Sequence, residues 1–205
     1  MSYRPIIDAG PALNFFATNQ ERLLISVLGQ LSTPETVHAE VLRKSRTDQR
    51  FHPAEAVIAR LTPNWLEVLP DDVTDELAAI VDRISGLPMV ERKRQAKDLG
   101  ETMVVAHAVV AAEAGAEVVV LIDETAGALI ATAEKHRLDR LRTQGRHVGS
   151  ITIANTPTVL AGAAGTKYLP DRAAMQALYS RLRKLDDGLV PIADTTLLSA
   201  ATWSK

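Results

Sequence analysis

The chain of 205 residues contains no cysteine, and only 4% of its residues are aromatic. The lack of cysteine excludes disulfides, thiolate zinc sites, iron–sulfur clusters and cysteine nucleophiles. The shortage of aromatic side chains predicts an aliphatic core. Hydrophobic residues make up 46% of the chain, and a chain of this length can bury a core without covalent staples.

Long apolar runs are also missing. The N-terminus has no signal-peptide hydrophobic region, because Asp8 follows directly after Ile6 and Ile7. The longest apolar segment, residues 103–112, contains His107 and is much shorter than the ~20 residues that span a bilayer. We therefore expect a cytoplasmic protein with no membrane segment, and the absence of cysteine fits that expectation.

Neither sign of charge is in large excess, since the formal net charge is −2. This is mild evidence against nucleic-acid binding, because proteins that bind nucleic acids are often basic overall. Basic residues are nevertheless clustered in segments 43–46, 92–97 and 137–146. These segments are either solvated faces or local patches that follow a phosphate backbone.

The hydrophobic pattern predicts strands that alternate with helices. Strands are predicted at residues 4–7, 65–69, 117–122 and 150–154, and segment 117–122 (EVVVLI) has the β-branched pattern of a parallel strand buried on both faces. One or two helices are predicted over 11–29. Another should begin at Thr33-Pro34, with a capping Thr and Pro at the first helical position. Further helices are predicted at 53–61, 72–84, 99–114, 125–136, 158–164 and 171–184.

This alternation predicts an α/β fold with a mostly parallel central sheet and helices on both faces. We expect a single domain over residues 1–205. Residues 46–97 are expected to be an insertion or a helical elaboration of it, and not a separate domain.

Two acidic residues follow predicted buried strands directly, Asp8 after Ile7 and Asp123 after Ile122. In open α/β sheets the carboxyl ends of the strands form the edge where ligands bind. Each acid could instead cap the helix that follows it, because Asp is a good N-cap residue.

Two further acids lie on predicted helices. Glu101 belongs to a helix that is apolar nearly all round, so its buried carboxylate needs a partner or a metal ion. Its spacing from Asp98 also fits a capping box. Glu40 lies next to core-facing Val41, but it could equally form a weak surface ion pair with a basic residue three or four positions later.

Together these four acids predict a site for a hard divalent cation. Oxygen ligands favour Mg²⁺ or Mn²⁺ over zinc, and clustered carboxylates repel one another unless a cation neutralises them. Such clusters are typical of metal-assisted hydrolysis of phosphodiesters. The histidines show no metal-ligand spacing, and the chain has neither a nucleophile elbow nor a glycine-rich phosphate loop.

Four segments carry a resemblance to a known family. They are IIDAGPALNFF at the start, TPETVHAEV around Glu40, DLGETMVVAHAVVAAEAGAEVVVLIDETAGALIA from Asp98 onward, and the weaker GSITIANTPTVLAGAAG after it. Over about residues 4–165 the chain resembles the PIN-domain family. Within that family it is similar to the VapC-like toxin nucleases of toxin–antitoxin pairs.

The resemblance implies a PIN-like three-layer α/β/α sandwich and an endoribonuclease that cleaves single-stranded RNA with Mg²⁺ or Mn²⁺. It implies that the metal-binding acids are Asp8, Glu40, Glu101 and Asp123. Asn14, Asp98 and Glu124 are supporting candidates, and the fourth ligand is open because Glu124 adjoins Asp123. A homodimer and a cognate antitoxin are implied as partners. The alternative is a catalytically inactive PIN-like module that binds RNA or protein.

Overall fold

The structure is a computed structural model that describes residues 3–204, so residues 1, 2 and 205 of the expected domain lie outside the described part. The described residues form one five-stranded, all-parallel sheet with strand order β3-β2-β1-β4-β5. The strands are β1 Ile6–Ile7, β2 Leu31–Pro34, β3 Leu66–Leu69, β4 Glu117–Leu121 and β5 Ser150–Ala154.

Helices cover both faces of this sheet, so the α/β sandwich architecture is confirmed. They are α1 Ala9–Ala17, α2 Glu21–Leu28, α3 Glu35–Thr47, α4 Pro53–Leu61, α5 Asp75–Ser85, α6 Met89–Arg92, α7 Leu99–Glu113, α8 Thr125–Thr143, α9 Thr156–Ala163, α10 Arg172–Leu185 and α11 Ala200–Trp203. Among the helices of residues 3–204, none combines the length and apolar character needed to cross a membrane.

The most buried helix is α7, which packs against β4, β5, β2 and β1 and against α5 and α8. Nearly all its residues are buried, as the pattern of apolar residues around the whole helix predicted. Its small side chains, mostly Ala and Val, allow the close approach of the sheet. As a result, Glu101 in the first turn of α7 lies in the protein interior.

The prediction of a helix start at Thr33-Pro34 is wrong, because both residues belong to strand β2. Thr33 lies opposite Val68 and donates its hydroxyl to the carbonyl of Ile7 at 3.0 Å, and Pro34 lies opposite Leu69. Helix α3 begins one residue later, at Glu35. The pairing of β2 with β1 and β3 therefore overrides a local pattern that is typical of a helix cap.

Two details of segment 46–97 also differ from the predictions. Helix α5 begins at Asp75 behind the capping residue Thr74, and not at residue 72 as predicted, so Val73 lies outside the helix and is 56% exposed. The segment also supplies β3 to the edge of the central sheet, so it does more than add helices.

Candidate metal centre

The carboxyl ends of β1 and β4 meet at one edge of the sheet. Ile7 lies opposite Leu121 in parallel register, and the N–H of Asp8 donates to the carbonyl of Leu121 at 3.0 Å. Asp8 and segment 122–124 therefore leave the sheet side by side. This is the edge where parallel α/β sheets bind ligands.

Asp8 lies at the N-cap position of α1, but its side chain makes no capping hydrogen bond. Only 4% of the residue is exposed. The pKa of Asp8 is raised to about 7, mainly by burial; the carboxylates of Glu40 and Glu124 contribute to this rise, while the N–H groups of Ala9 and Gly10 act in the opposite direction. Asp8 is therefore a buried carboxylate that faces other carboxylates and has no cationic partner among the described residues. Such a group favours the binding of a cation.

Glu40 approaches Asp8 across a space that a glycine leaves open. A β-carbon at Gly100 would lie 3.1 Å from Oε2 of Glu40 and 3.6 Å from Oδ1 of Asp8. The two oxygens therefore lie near a common point beside the first turn of α7. The other oxygen of Glu40 pairs with Nζ of Lys44 at 2.8 Å. The surface ion pair that was the alternative interpretation of the sequence therefore forms, and its basic partner is Lys44.

We expect Gly100→Ala to weaken Mn²⁺ binding roughly tenfold, because the added methyl group would occupy the space between the carboxylates of Glu40 and Asp8. Alanine has a higher helix propensity than glycine, so the variant should remain folded. Isothermal titration calorimetry with MnCl₂ measures the change. The matched control is Gly10→Ala, because a β-carbon there meets no atom within 4 Å. Equal Mn²⁺ affinity in both variants would contradict this placement of the site.

Glu101 faces Glu124 and Asp8 from the first turn of α7. The residue is 8% exposed, and the pKa of Glu101 is raised to about 8, mainly by burial. Its carboxyl group lies within hydrogen-bond reach of Glu124, and this contact and the charge of Asp8 contribute to the rise. Gly127 makes the arrangement possible, because a β-carbon there would lie 3.0 Å from both Cβ and Cγ of Glu101.

Asp123 is oriented differently from the other acids. Its Oδ1 accepts the backbone N–H of Thr156 at 2.7 Å, and its Oδ2 accepts the hydroxyl of the same residue at 2.6 Å. Burial raises the pKa of Asp123, Thr156 lowers it, and nearby Asp186 raises it. The structure therefore brings together Asp8, Glu40, Glu101 and Glu124, whereas Asp123 contacts Thr156. Glu124, a supporting candidate from the sequence, lies where the fourth acid was expected.

We expect Glu124→Gln to weaken Mn²⁺ binding by about tenfold or more, and Asp123→Asn to weaken it less. The reason is that Glu124 faces Glu101 and Asp8, whereas both oxygens of Asp123 already accept hydrogen bonds. An asparagine at position 123 can still accept the N–H of Thr156, so both variants should fold. The reverse order of affinities would support Asp123 as the fourth ligand.

Asn14 orients an acid, but that acid comes from the C-terminal part of the chain. Its side-chain amide donates to Oδ2 of Asp186 at 2.7 Å, and Asn14 itself is buried. Asp186 in turn lies close enough to Asp123 to raise its pKa. The sequence did not indicate Asp186, because 172 positions separate it from Asn14 and no local pattern marks it.

Asp98 precedes α7 with a positive φ of 52° and makes no capping hydrogen bond through its side chain. The predicted capping box with Glu101 therefore does not form. The loop before it is held by Arg92, which is buried and donates to the carbonyls of Gln95 and Lys97 at 2.7 and 2.8 Å. Arg92 therefore has a structural role and is not part of a solvated basic face, although it belongs to the basic segment 92–97.

A buried network that the sequence did not reveal supports the helix of Glu40. Asp71 accepts the backbone N–H of Thr36 at 2.7 Å and lies 2.8 Å from Nε2 of His107. Although burial acts to raise it, these contacts hold the pKa of Asp71 below its usual value. Asp71 therefore anchors the first turn of α3, and the next turn carries Glu40.

Cationic side chains surround the carboxylates. A cavity of about 420 Å³ on one side is lined by Glu40, Glu101 and Glu124 together with Arg43 and Lys97. A larger cavity of about 940 Å³ on the other side is lined by Glu124, Asp123 and Asp186 together with Lys44 and Arg50. Glu124 lies between the two cavities. Carboxylates with cations on both sides are suited to a divalent ion and a phosphate chain.

Within residues 3–204, no group of three or more His, Asp or Glu side chains is arranged so that it could hold a metal ion as it stands. In this arrangement Glu40 is paired with Lys44, and Glu101 interacts with Glu124. The donor chemistry nevertheless fits Mg²⁺ or Mn²⁺, because all four groups are carboxylates and Gly100 leaves space beside two of them.

The chain matches no protein-family model, no curated protein and no solved structure. The fold and the site described above are therefore the observations from which a function has to be argued.

Proposed function

We propose that this protein is a metal-dependent endoribonuclease that cleaves phosphodiester bonds in single-stranded RNA, with Mg²⁺ or Mn²⁺ as the cofactor. One observation carries the proposal. Four carboxylates from distant parts of the chain, those of Asp8, Glu40, Glu101 and Glu124, converge at the ligand-binding edge of a parallel sheet. Asp8 and Glu101 are buried, and burying these two carboxylates beside other negative charges without a cation is unfavourable, so their position is costly unless it has a function.

The acidic residues of the site would bind the metal ion, and the basic residues would bind the substrate. The carboxylates of Asp8 and Glu101, held in place by burial, would bind the ion together with those of Glu40 and Glu124. When bound, the ion would activate a water molecule and stabilise the leaving oxygen. Lys44 and Arg50 on one side, and Arg43 and Lys97 on the other, would attract the phosphates that flank the cleaved bond.

The choice of RNA and the biological partners rest on the resemblance to the PIN-domain family and its VapC-like toxins. On that basis we also propose a cognate antitoxin that blocks the site, and a homodimer. Arg43 and Lys97, which line the cavity beside the carboxylates, support a polyanionic substrate. Lys44 and Arg50 line the second cavity but are paired with Glu40 and Asp48.

A PIN-like module that binds RNA or protein without catalysis is the second candidate. The observation in its favour is the ion pair between Glu40 and Lys44, which neutralises one of the four carboxylates without a metal. Under this alternative the cluster would be a structural remnant, and the basic side chains would still bind phosphates.

The deciding experiment incubates the purified protein with mixed-sequence single-stranded RNA and, separately, with single-stranded DNA of the same sequence. Each reaction contains Mg²⁺, Mn²⁺ or EDTA. We expect cleavage of RNA with either metal and none with EDTA. Binding of the RNA without cleavage in the presence of either metal would support the binding module instead. Preferential cleavage of DNA would overturn the choice of substrate while leaving the metal chemistry in place.

A further inference from the structure

Helix α3, which carries Glu40, has no cap of its own. The residue at its N-cap position is Pro34, which makes no capping hydrogen bond through its side chain. The N–H groups in the first turn of a helix have no partner within the helix, so they need one from outside it. Asp71 supplies this partner from the loop after β3, because its Oδ2 accepts the N–H of Thr36 at 2.7 Å across 35 positions of the chain.

Asp71 is held in turn by His107. Its Oδ1 lies 2.8 Å from Nε2 of His107, and the two side chains are 2% and 12% exposed. Burial acts to raise the pKa of Asp71, but the hydrogen bonds with His107 and Thr36 keep it below its usual value. The carboxylate is therefore ionised and can only accept, so Nε2 of His107 carries the hydrogen and donates it. Lys93 also fixes the loop, since its Nζ donates to the carbonyl of Asp71 at 2.7 Å.

The contacts of Asp71 connect the two helices that carry acids of the candidate site. His107 is on α7, whose first turn contains Glu101. Thr36 is on α3, and Glu40 lies four positions later, on the same side of the helix. A shift of α3 along its axis, or a rotation about it, would therefore displace the carboxylate of Glu40. The bridge through Asp71 opposes such a movement.

We propose that His107 is a positioning residue for the metal site: acting through Asp71, it holds α3 so that the carboxylate of Glu40 faces that of Asp8. His107 is not among the residues that line the two cavities beside the acids, so its effect on the site is indirect. The inference rests on the metal site of the proposed function, but not on RNA as the substrate. The competing role is stabilisation of the fold alone, and measurements of metal affinity separate the two.

The test measures Mn²⁺ binding by isothermal titration calorimetry, with urea unfolding of each variant in parallel. We expect His107→Phe to weaken binding roughly fivefold, because the ring remains but its donor is lost. Asp71→Leu removes the bonds to both helices and should weaken binding about tenfold. His107→Gln should restore most of the affinity, because its amide can donate to Asp71.

A double-mutant cycle identifies the route of the effect. Glu40→Gln alone should weaken Mn²⁺ binding about tenfold. If His107 acts through Glu40, adding His107→Phe to Glu40→Gln should cause little further loss of affinity, whereas independent effects would add. Additive losses would mean that His107 supports the fold in general, and they would overturn the proposal.

Glu21→Gln is the control, because it removes the charge of another buried carboxylate, which pairs with Arg60 of a neighbouring helix. It should lower the free energy of unfolding and leave the Mn²⁺ affinity unchanged. Equal affinity in His107→Phe and the wild type, or a wild type that binds no Mn²⁺, would also overturn the proposal. Mn²⁺ binding that depends on His107 in a protein that does not cut RNA would support it and refute only the ribonuclease function.

Discussion

Replacing Asp8 with asparagine should lower metal-dependent RNA cleavage by about 10³-fold or more, which corresponds to about 4 kcal/mol of transition-state stabilisation. The loss is expected because Asp8 is the most buried of the four carboxylates and lies between Glu40 and Glu124. The same substitution should raise the free energy of unfolding in EDTA at pH 8 by roughly 2–4 kcal/mol, because it removes a buried charge that the other carboxylates repel.

This pairing of lost cleavage with gained stability separates a functional carboxylate from a structural one. Single-turnover cleavage of RNA and urea unfolding in EDTA give the two measurements. Asp194→Asn, at an exposed acid, is the control and should change neither. If Asp8→Asn destabilised the protein, the loss of cleavage would be explained by misfolding, and the argument from the cluster would fail.

The stability of the metal-free protein should fall as the pH rises from about 4 to 7, and Mg²⁺ should reverse much of that loss. Burial raises the pKa of Asp8 from 3.8 to about 7. Below pH 4 both the folded and the unfolded protein hold this proton, so the group contributes its full stability. As the pH rises, the unfolded chain loses the proton first, and by pH 7 the cost from Asp8 approaches about 4 kcal/mol.

Urea unfolding at pH 5 and pH 8, in EDTA and in Mg²⁺, measures this effect. The stabilisation by Mg²⁺ should be larger at pH 8, because the ion must compete with protons for Asp8 and Glu101 at pH 5. Asp8→Asn is the matched control, since it removes one of the two titrating groups and should reduce the slope of the pH dependence in EDTA, with Glu101 supplying the remainder. The same slope in the wild type and in Asp8→Asn would rule out Asp8 as its source.

Much of the fold could be predicted from local patterns. The β-branched run of β4 and the apolar helix α7 stand out in the sequence because burial on nearly all sides leaves few polar positions in either. The error at Thr33-Pro34 has a different origin. A Thr followed by Pro fits a helix cap, and only the pairing of β2 with β1 and β3 makes these residues a strand.

Part of the site could be predicted for a similar reason. An acid directly after a buried strand, or within an apolar helix, is costly wherever the chain folds, so Asp8 and Glu101 stand out without coordinates. The choice between Asp123 and Glu124 could not be made in this way. Both follow the same strand, and the side chain of Asp123 is held by Thr156, which is more than thirty positions away.

The sequence by itself therefore determined the class of fold and the buried position of Asp8 and Glu101, because these follow from residue chemistry and local periodicity. Only the tertiary structure decided which side chains meet. It placed Asp186 against Asn14 and Glu124 against Glu101. Such contacts join positions that are far apart in the chain, and they depend on packing that no local segment encodes.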